Sequence, residues 1–339
     1  MTIPKHKLME MVAYEAFIRR ASEVGFPFML KGSYVTRQYF PNPLDRIPAD
    51  LDWVYLENLN NIKNAEKKFD EWLIAVTEYK MFDNVTFKSF KENTQWLMMD
   101  YAMADDFPTV KTDLLCKVQD GEFNAFPLDI SFNLDIDQPP VPLLYRPLKG
   151  NSFTVPYSAP LSLQVSWKLH QTLVRPRFKD ILDLTWLLQH PDFDSNTLQQ
   201  TLQSLANECS ADNADIKHLA FLVNNELDKL FTNSRIEETW DYWRHNYRRN
   251  NYLLLGESLA SDIIDTSRLP ANLSVFKTEF TNALHKAGFD INVINNLPLA
   301  TWQRNKEYLK PVPENEIRKP ISIKNNRRSF FDFFSRFFK

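Results

Sequence analysis

The chain has 339 residues, which is enough to bury a full hydrophobic core and to build two lobes. Hydrophobic residues make up 44% of it and charged residues 24%, proportions that are typical of folded soluble proteins and exclude a disordered chain. The net charge of −3 provides no overall attraction to nucleic acid, so binding to a polyanion would require a local basic patch.

The first part of the chain is predicted to contain the strands. Helical spacing of apolar residues indicates a helix over 5–24, and the apolar run at 26–30 indicates a short buried strand. A second strand is predicted at 51–57 and a second long helix at 62–79. Four strand-like segments follow, with hairpin turns predicted at Glu92-Asn93 and Asp120-Gly121. These segments are 84–90, 95–101, 109–119 and 122–133.

After the proline-rich stretch at 139–147 the pattern becomes helical. The predicted helices are 160–173, 178–189, 195–208, 214–231, 235–248 and 272–287. Strands followed by helices predict an α+β fold, with a mixed β-sheet lobe followed by a mainly helical C-terminal lobe. The predicted divisions are 1–155 for the sheet lobe, 156–310 for the helical lobe and 311–339 for a basic, phenylalanine-rich tail.

Three aspartates are candidate metal ligands. If Asp50 and Asp52 both lie on the second strand, the two-residue side-chain period places them on one face. Adjacent carboxylates repel each other unless a cation offsets their charge, and Mg²⁺ prefers such oxygen ligands. Asp129 lies in an otherwise apolar segment, where an unpaired charge would be costly. It is therefore a candidate third ligand, and an aspartate facing water from an edge strand is the alternative.

The Gly32-Ser33 turn lies between the first strand and a short helical segment. Glycine permits close approach of the backbone, and the serine hydroxyl adds a donor, so the turn would suit a phosphate. Such turns are common, but the order of strand, Gly-Ser turn, helix and Asp-x-Asp strand is more specific. It predicts a nucleoside triphosphate that is held at its phosphates and coordinated through a metal.

A second group of polar residues follows in the helical part. Lys168 lies on one predicted helix, and Asp180 and Asp183 lie in the first turn of the next. The helix dipole or an ion pair with a nearby arginine would also account for these two aspartates. His170, two residues from Lys168, faces another side of its helix and is predicted to be structural.

Taken together, these motifs resemble the AbiEii/AbiGii-type toxins, a nucleotidyltransferase family of bacterial toxin–antitoxin and phage-defence systems. The resemblance covers roughly residues 25–190. Two departures from the family pattern are Pro48, where a Ser or Thr is usual, and the sixteen residues between Ser33 and Asp50, which imply a longer loop over the pocket. The matching residues are Gly32, Ser33, Arg37, Arg46, Asp50, Asp52, Asp129, Lys168, Arg175, Lys179, Asp180 and Asp183.

On the nucleotide side, the resemblance implies that Gly32 and Ser33 hold the triphosphate. It also makes Arg37 and Arg46 candidate nucleotide-binding residues. The implied fold is a nucleotidyltransferase-like mixed sheet with a helical lobe behind it.

On the catalytic side, the resemblance implies that Asp50, Asp52 and Asp129 bind Mg²⁺, with two ions expected. Asp129 would also serve as base towards the acceptor hydroxyl. Lys168 would neutralise phosphate charge as it develops, and Asp180 would orient Lys168 or the acceptor.

The implied reaction moves a nucleoside monophosphate from an NTP to an acceptor hydroxyl, with the tRNA 3′ end as the favoured acceptor. A cognate antitoxin is an implied partner. Two alternatives stay open: transfer to a protein side chain or to a small molecule such as an aminoglycoside, and a catalytically silent interaction protein on the same fold.

One late predicted helix mixes aromatic and basic residues. Trp240, Trp243 and Tyr247 share one face, while Arg244 and Arg248 share another. This arrangement favours core packing with a solvated basic face, although such a face would also suit a tRNA acceptor.

The tail places six phenylalanines at helical spacing among basic residues. We expect it to dock on the protein's own body, with another subunit or an anionic membrane surface as alternatives. Cys116 and Cys209 are the only cysteines, which fits a reducing compartment. With no apolar run of signal-peptide or membrane-spanning type, we expect a cytoplasmic protein.

Overall fold

The computed structural model describes residues 5–48, 50–59, 62–98, 108–231, 236–246, 263–264 and 269–302. Its helices are α1 (Lys5–Val24), α2 (Ser33–Thr36), α3 (Ile62–Glu78), α4 (Leu161–Val174), α5 (Phe178–Leu187), α6 (Ser195–Asp212), α7 (Leu219–Val223), α8 (Ile236–Asn246), α9 (Leu273–Lys286) and α10 (Ile291–Asn295). Its strands are β1 (Phe28–Lys31), β2 (Arg46–Ile47), β3 (Leu51–Tyr55), β4 (Val85–Phe87), β5 (Leu97–Met98), β6 (Thr109–Val118), β7 (Asn124–Ser131), β8 (Val141–Tyr145), β9 (Phe153–Ser158) and β10 (Ile263–Ile264).

Eight strands form one mixed sheet in the order β4-β6-β7-β3-β1-β9-β8, with β5 pairing with β6 beside that path. The pairs β1–β3, β6–β7 and β8–β9 are antiparallel, whereas β3–β7 and β1–β9 are parallel. β2 and β10 form a separate antiparallel pair. A mixed sheet followed by helices confirms the predicted fold class.

The two faces of the central strands have different roles, because successive side chains of a strand point to opposite faces. Leu30 and Trp53 lie on the face that forms the main hydrophobic cluster with residues of α1 and α3. On the other face, Met29 and Val54 pack against Leu163 at the start of α4. The next residues along that second face are polar, and they form the candidate site described below.

The helical part has a hydrophobic cluster of its own, built mainly from residues of α4 to α10. Trp240 and Trp243 of α8 are both buried there, and the ring of Trp240 lies 4.7 Å from that of Phe276. This confirms the core-packing interpretation for these two tryptophans. Tyr247 and Arg248 lie outside the described residues.

The hairpin at Asp120-Gly121 is confirmed, since β6 and β7 pair on either side of it. The hairpin predicted at Glu92-Asn93 is wrong. The strands on either side of that turn both pair with β6 and not with each other. A 3-10 turn over Phe90–Glu92 redirects the chain between them.

Prolines and an asparagine explain most of the elements that the sequence pattern misses. Strands β8 and β9 contain Pro142 and Pro156, which lowered the strand signal. β8 ends the main path of the sheet, and β9 pairs with β1 only at Ser158, past its proline. The continuous helix predicted at 214–231 is wrong: α7 is short, and Asn225 adopts a left-handed backbone conformation with φ of 60° after it.

The predicted boundary at residue 155 falls inside β9, and the helices after it begin at Leu161. The tail predicted at 311–339 lies outside the described residues. Among the helices that are described, none has the length and apolar character needed to cross a bilayer.

Candidate active site

Four charged side chains form a row across the sheet on the face opposite to Trp53. Lys31 of β1 is in register with Asp52 of β3, and Asp52 is in register with Asp129 of β7. Asp129 is in turn in register with Lys111 of β6. Residues in register on adjacent strands share a face, so these four residues, the charged row, place two carboxylates between two lysines.

The Asp52 carboxyl is buried and has two other acidic side chains nearby. Burial, together with the charges of Asp50 and Asp129, raises its pKa from 3.8 to about 7. Lys31 and Lys179 act in the opposite direction without cancelling the rise. The Asp52 carboxyl therefore resists ionisation beside its acidic neighbours, and a bound cation would relieve the repulsion.

The other two predicted metal ligands lie on either side of Asp52. Asp50 directly precedes β3, and the Asp129 side chain is 10% exposed, with its Oδ1 3.6 Å from Nζ of Lys111. Within the described residues, no three His, Cys, Asp or Glu side chains stand close enough together to hold a metal ion. The three carboxylates therefore lie near one another without forming a metal-ligand cluster. Their oxygen atoms are the type of ligand that a hard divalent cation prefers.

The Gly32-Ser33 turn connects β1 to α2 directly beside Asp52. Gly32 has a φ of 71°, and a Cβ atom at this position would overlap the Asp52 carboxylate, with its Cγ at 3.1 Å. Only glycine permits this close approach of the turn to the acid. The Ser33 hydroxyl is buried and has no hydrogen-bond partner among the described residues. A polar atom in that state can bind a ligand oxygen without giving up an internal contact.

Lys168 of α4 is held by the two aspartates of α5. Its Nζ lies 3.1 Å from Oδ1 of Asp180 and 2.7 Å from Oδ2 of Asp183. Asp183 also accepts a hydrogen bond from Nε of Arg46 at 2.9 Å. Nε of Arg177 donates to Asp180 at 2.5 Å. The lysine is therefore fixed from α5, as the predicted orienting role of Asp180 requires.

Cations around Asp180 decide its ionisation. Burial acts to raise the pKa of its carboxyl, but Lys168 and Arg177 outweigh burial and lower that pKa to about 2. Asp180 is therefore ionised at neutral pH. Asp52 differs, because the same effect of burial is there reinforced by two neighbouring acids.

Comparison with known proteins identifies the family. The family model described as "Nucleotidyl transferase AbiEii toxin, Type IV TA system" matches residues 17–254. The chain belongs to this nucleotidyltransferase toxin family. Membership makes it an enzyme and implies a nucleoside triphosphate substrate and an antitoxin partner.

Among solved structures, the chain is similar to MenT4, nucleotidyltransferase toxin Rv2826c from Mycobacterium tuberculosis H37Rv. The TM-score is 0.46 at 12% identity, over 84% of this chain and 85% of that one. A search of curated proteins gives no match.

The two arginines predicted to bind nucleotide are placed inside this AbiEii protein by other contacts. Arg37 is fully buried, and its Nη1 lies 2.9 Å from Oε1 of Glu15. Arg46 is equally buried in its ion pair with Asp183. Both arginines thus form internal ion pairs, while Nη2 of Arg37 is buried without a hydrogen-bond partner among the described residues. Their nucleotide contacts stay a prediction.

The segment from Pro41 to Pro48 is fastened to the body of the protein. Nε of Arg37 donates to the carbonyl of Pro43, and the guanidinium of Arg146 donates to the carbonyl of Phe40. β2, at the end of the segment, pairs with β10. The longer spacing between Ser33 and Asp50 is thus taken up by an anchored loop.

Sequence reasoning missed Lys31 and Lys111, the two ends of the charged row. The predicted hairpin at Asp120 could have revealed the second of them. A hairpin pairs residues that lie equally far before and after its turn, and Lys111 and Asp129 are such a pair. Lys31 has no such signal, because its pairing with Asp52 depends on two strands that a loop separates.

Proposed function

We propose that this AbiEii family member is a Mg²⁺-dependent nucleotidyltransferase that moves a nucleoside monophosphate from an NTP to an acceptor hydroxyl, with the tRNA 3′ end as acceptor. The observation that carries the proposal is the placement of Asp52 and Asp129 on adjacent strands, with Asp52 directly beside the Gly32-Ser33 turn. This combination offers carboxylates for a cation and, for phosphates, a serine hydroxyl with no hydrogen-bond partner among the described residues. We propose the cytoplasm, where NTPs and tRNA both occur, as its location.

In the reaction, the acceptor oxygen forms a bond to the α-phosphorus of the NTP. The bond from that phosphorus to the bridging oxygen breaks, and pyrophosphate leaves. The proton of the acceptor hydroxyl passes to the Asp129 carboxylate. Asp50, Asp52 and Asp129 would hold Mg²⁺, which supplies charge stabilisation and orients the phosphates when it is bound.

The remaining polar groups have separate tasks in this proposal. The backbone at Gly32 and the hydroxyl of Ser33 receive the triphosphate, because the hydroxyl has no competing internal partner among the described residues. Lys168 offsets the negative charge that develops on the phosphates. Asp180 keeps its ammonium in place, and its low pKa maintains this ion pair at neutral pH.

The test is to incubate the purified protein with Mg²⁺, total RNA and each α-labelled NTP in turn, with Asp50→Ala beside the wild type. We expect label in the tRNA fraction for at least one NTP, and none with the variant. Label that appears in protein would show that the acceptor is a protein and not tRNA. Equal labelling of tRNA by Asp50→Ala and the wild type would show that Asp50 is not needed for the reaction.

A further inference from the structure

The lysine at the far end of the charged row has no task in the mechanism described above. The Lys111 side chain is 31% exposed, and Asp129 is the carboxylate beside it. Its neighbour on the other side is Leu97 of β5, which is itself exposed. The ammonium group therefore lies at an open margin of the site.

The order of the strands places Lys111 opposite to the triphosphate turn. Gly32 and Ser33 follow β1, and the path from β1 to β6 crosses β3 and β7. Three strand spacings separate β1 from β6 by about 14 Å. In an in-line displacement the attacking and leaving oxygens lie on opposite sides of the reacting phosphorus. If pyrophosphate leaves on the Gly32 side, the acceptor must approach from the side of Asp129 and Lys111.

We infer that Lys111 binds a phosphodiester of the acceptor next to the hydroxyl that reacts, and so makes the site specific for a polyanionic acceptor. The inference rests on the proposed function and extends it to the acceptor side. A lysine in this position favours a nucleic acid strand, and it repels a cationic acceptor such as an aminoglycoside. Asp113, two residues farther along the same face of β6, is exposed and confines the positive charge to the position beside Asp129.

The experiment compares wild type, Lys111→Gln, Lys111→Arg and Lys117→Gln in steady-state transfer to bulk deacylated tRNA. The same proteins are titrated with fluorescently labelled tRNA at several salt concentrations. Lys117 is the matched control: it lies on the same strand and face, about 20 Å from Lys111. Thermal melting verifies that each variant is folded.

For Lys111→Gln we expect the KM and Kd for tRNA to rise about threefold to tenfold, with a salt slope smaller by about 0.7. The KM for the NTP should not change, because the lost contact belongs to the acceptor. The Kd for tRNA is the deciding value, because kcat also responds to the loss of the ion pair between Lys111 and the Asp129 base. Lys111→Arg should keep the wild-type values, and so should Lys117→Gln.

An unchanged tRNA KM and Kd in Lys111→Gln would overturn the inference and leave the proposed function intact. A rise in the KM for the NTP, with the tRNA parameters unchanged, would place the lysine on the nucleotide side and overturn it as well. If the wild type transfers nothing to tRNA, the proposed function fails, and this inference fails with it.

Discussion

Gly32 is the residue at which one added carbon atom should be most damaging. In Gly32→Ala, the new Cβ would overlap the Asp52 carboxylate, and the backbone would keep a φ of 71° and a ψ of −151°, a conformation that costs residues other than glycine roughly 1–3 kcal/mol. We expect a lower melting temperature and loss of most nucleotidyl transfer, because the acid must move away from the turn. Both effects are measured on one protein preparation.

Gly25 supplies the matched control for this prediction. It has the same φ of 71°, but a Cβ added there meets no atom within 4 Å. Gly25→Ala should therefore show the conformational cost in its melting temperature while keeping its transfer rate. If Gly32→Ala also kept the wild-type rate, the close approach of turn and acid would have no part in catalysis.

At the scale of elements, a buried ion network joins β2, α4 and α5. We expect Asp183→Leu to reduce the free energy of unfolding by about 3–5 kcal/mol, because it removes the buried carboxylate that Arg46 and Lys168 share. Adding Arg46→Met to this variant should restore part of the loss. Urea unfolding of both single variants and the double variant measures the coupling free energy.

The exposed pair of Lys91 and Glu78 provides the comparison, since its side chains are 60% and 43% exposed. The same cycle with Lys91→Met and Glu78→Gln should give a much smaller coupling, because water screens exposed ion pairs. A coupling between Arg46 and Asp183 no larger than this would show that the buried network does not hold the three elements together.

The packing of α4 on α6 should make stability depend on pH. Burial raises the pKa of Glu208 from 4.5 to about 7, although His170 and the hydrogen bond from Trp167 act to lower it. Between pH 4.5 and 7 the folded state therefore binds more protons than the unfolded state at this carboxyl, so its contribution to stability falls as pH rises through this window. Unfolding free energies measured across that range should decline less in Glu208→Gln than in wild type. Parallel profiles would contradict the assignment.

Most elements could be predicted from the sequence because their signals are local. Helical spacing identified α1 and α3, and the Asp120-Gly121 turn identified the hairpin of β6 and β7. The strands with prolines were missed, because β8 and β9 are defined by pairing with distant segments. A local sequence pattern does not indicate which distant segment a strand pairs with.

The same distinction applies to the candidate site. Order and spacing of residue types identified the turn and the acids, and the structure places Asp52 and Asp129 on adjacent strands beside that turn. The partners of the arginines could not be predicted in this way. Arg46 and Asp183 lie on segments that meet only when the sheet and the helices pack together. The ion pairs of Arg37 with Glu15 and of Arg46 with Asp183 are therefore visible only in the folded protein.

At the scale of the whole molecule, the site depends on the packing of α4 against the sheet. The sheet supplies the charged row, while α4 and α5 supply Lys168 and Asp180. Leu163, near the start of α4, packs against Met29 and Val54 on the face that carries the row. The helical part is thereby positioned close enough for Lys179 of α5 to influence the pKa of Asp52. The residues of the proposed site thus come from two parts of the chain, and each part has its own hydrophobic cluster.

Single-turnover transfer from α-labelled NTP to tRNA measures whether Asp52 belongs to a cation-dependent site for nucleotidyl transfer. With Mg²⁺ present, Asp52→Asn should reduce the rate at least about a hundredfold while the protein stays folded. Asp113→Asn, which removes an exposed aspartate from the same face of the sheet, should keep the wild-type rate. Chelation of Mg²⁺ should reduce the wild type to the level of Asp52→Asn. Transfer by Asp52→Asn at the wild-type rate would show that Asp52 has no part in nucleotidyl transfer.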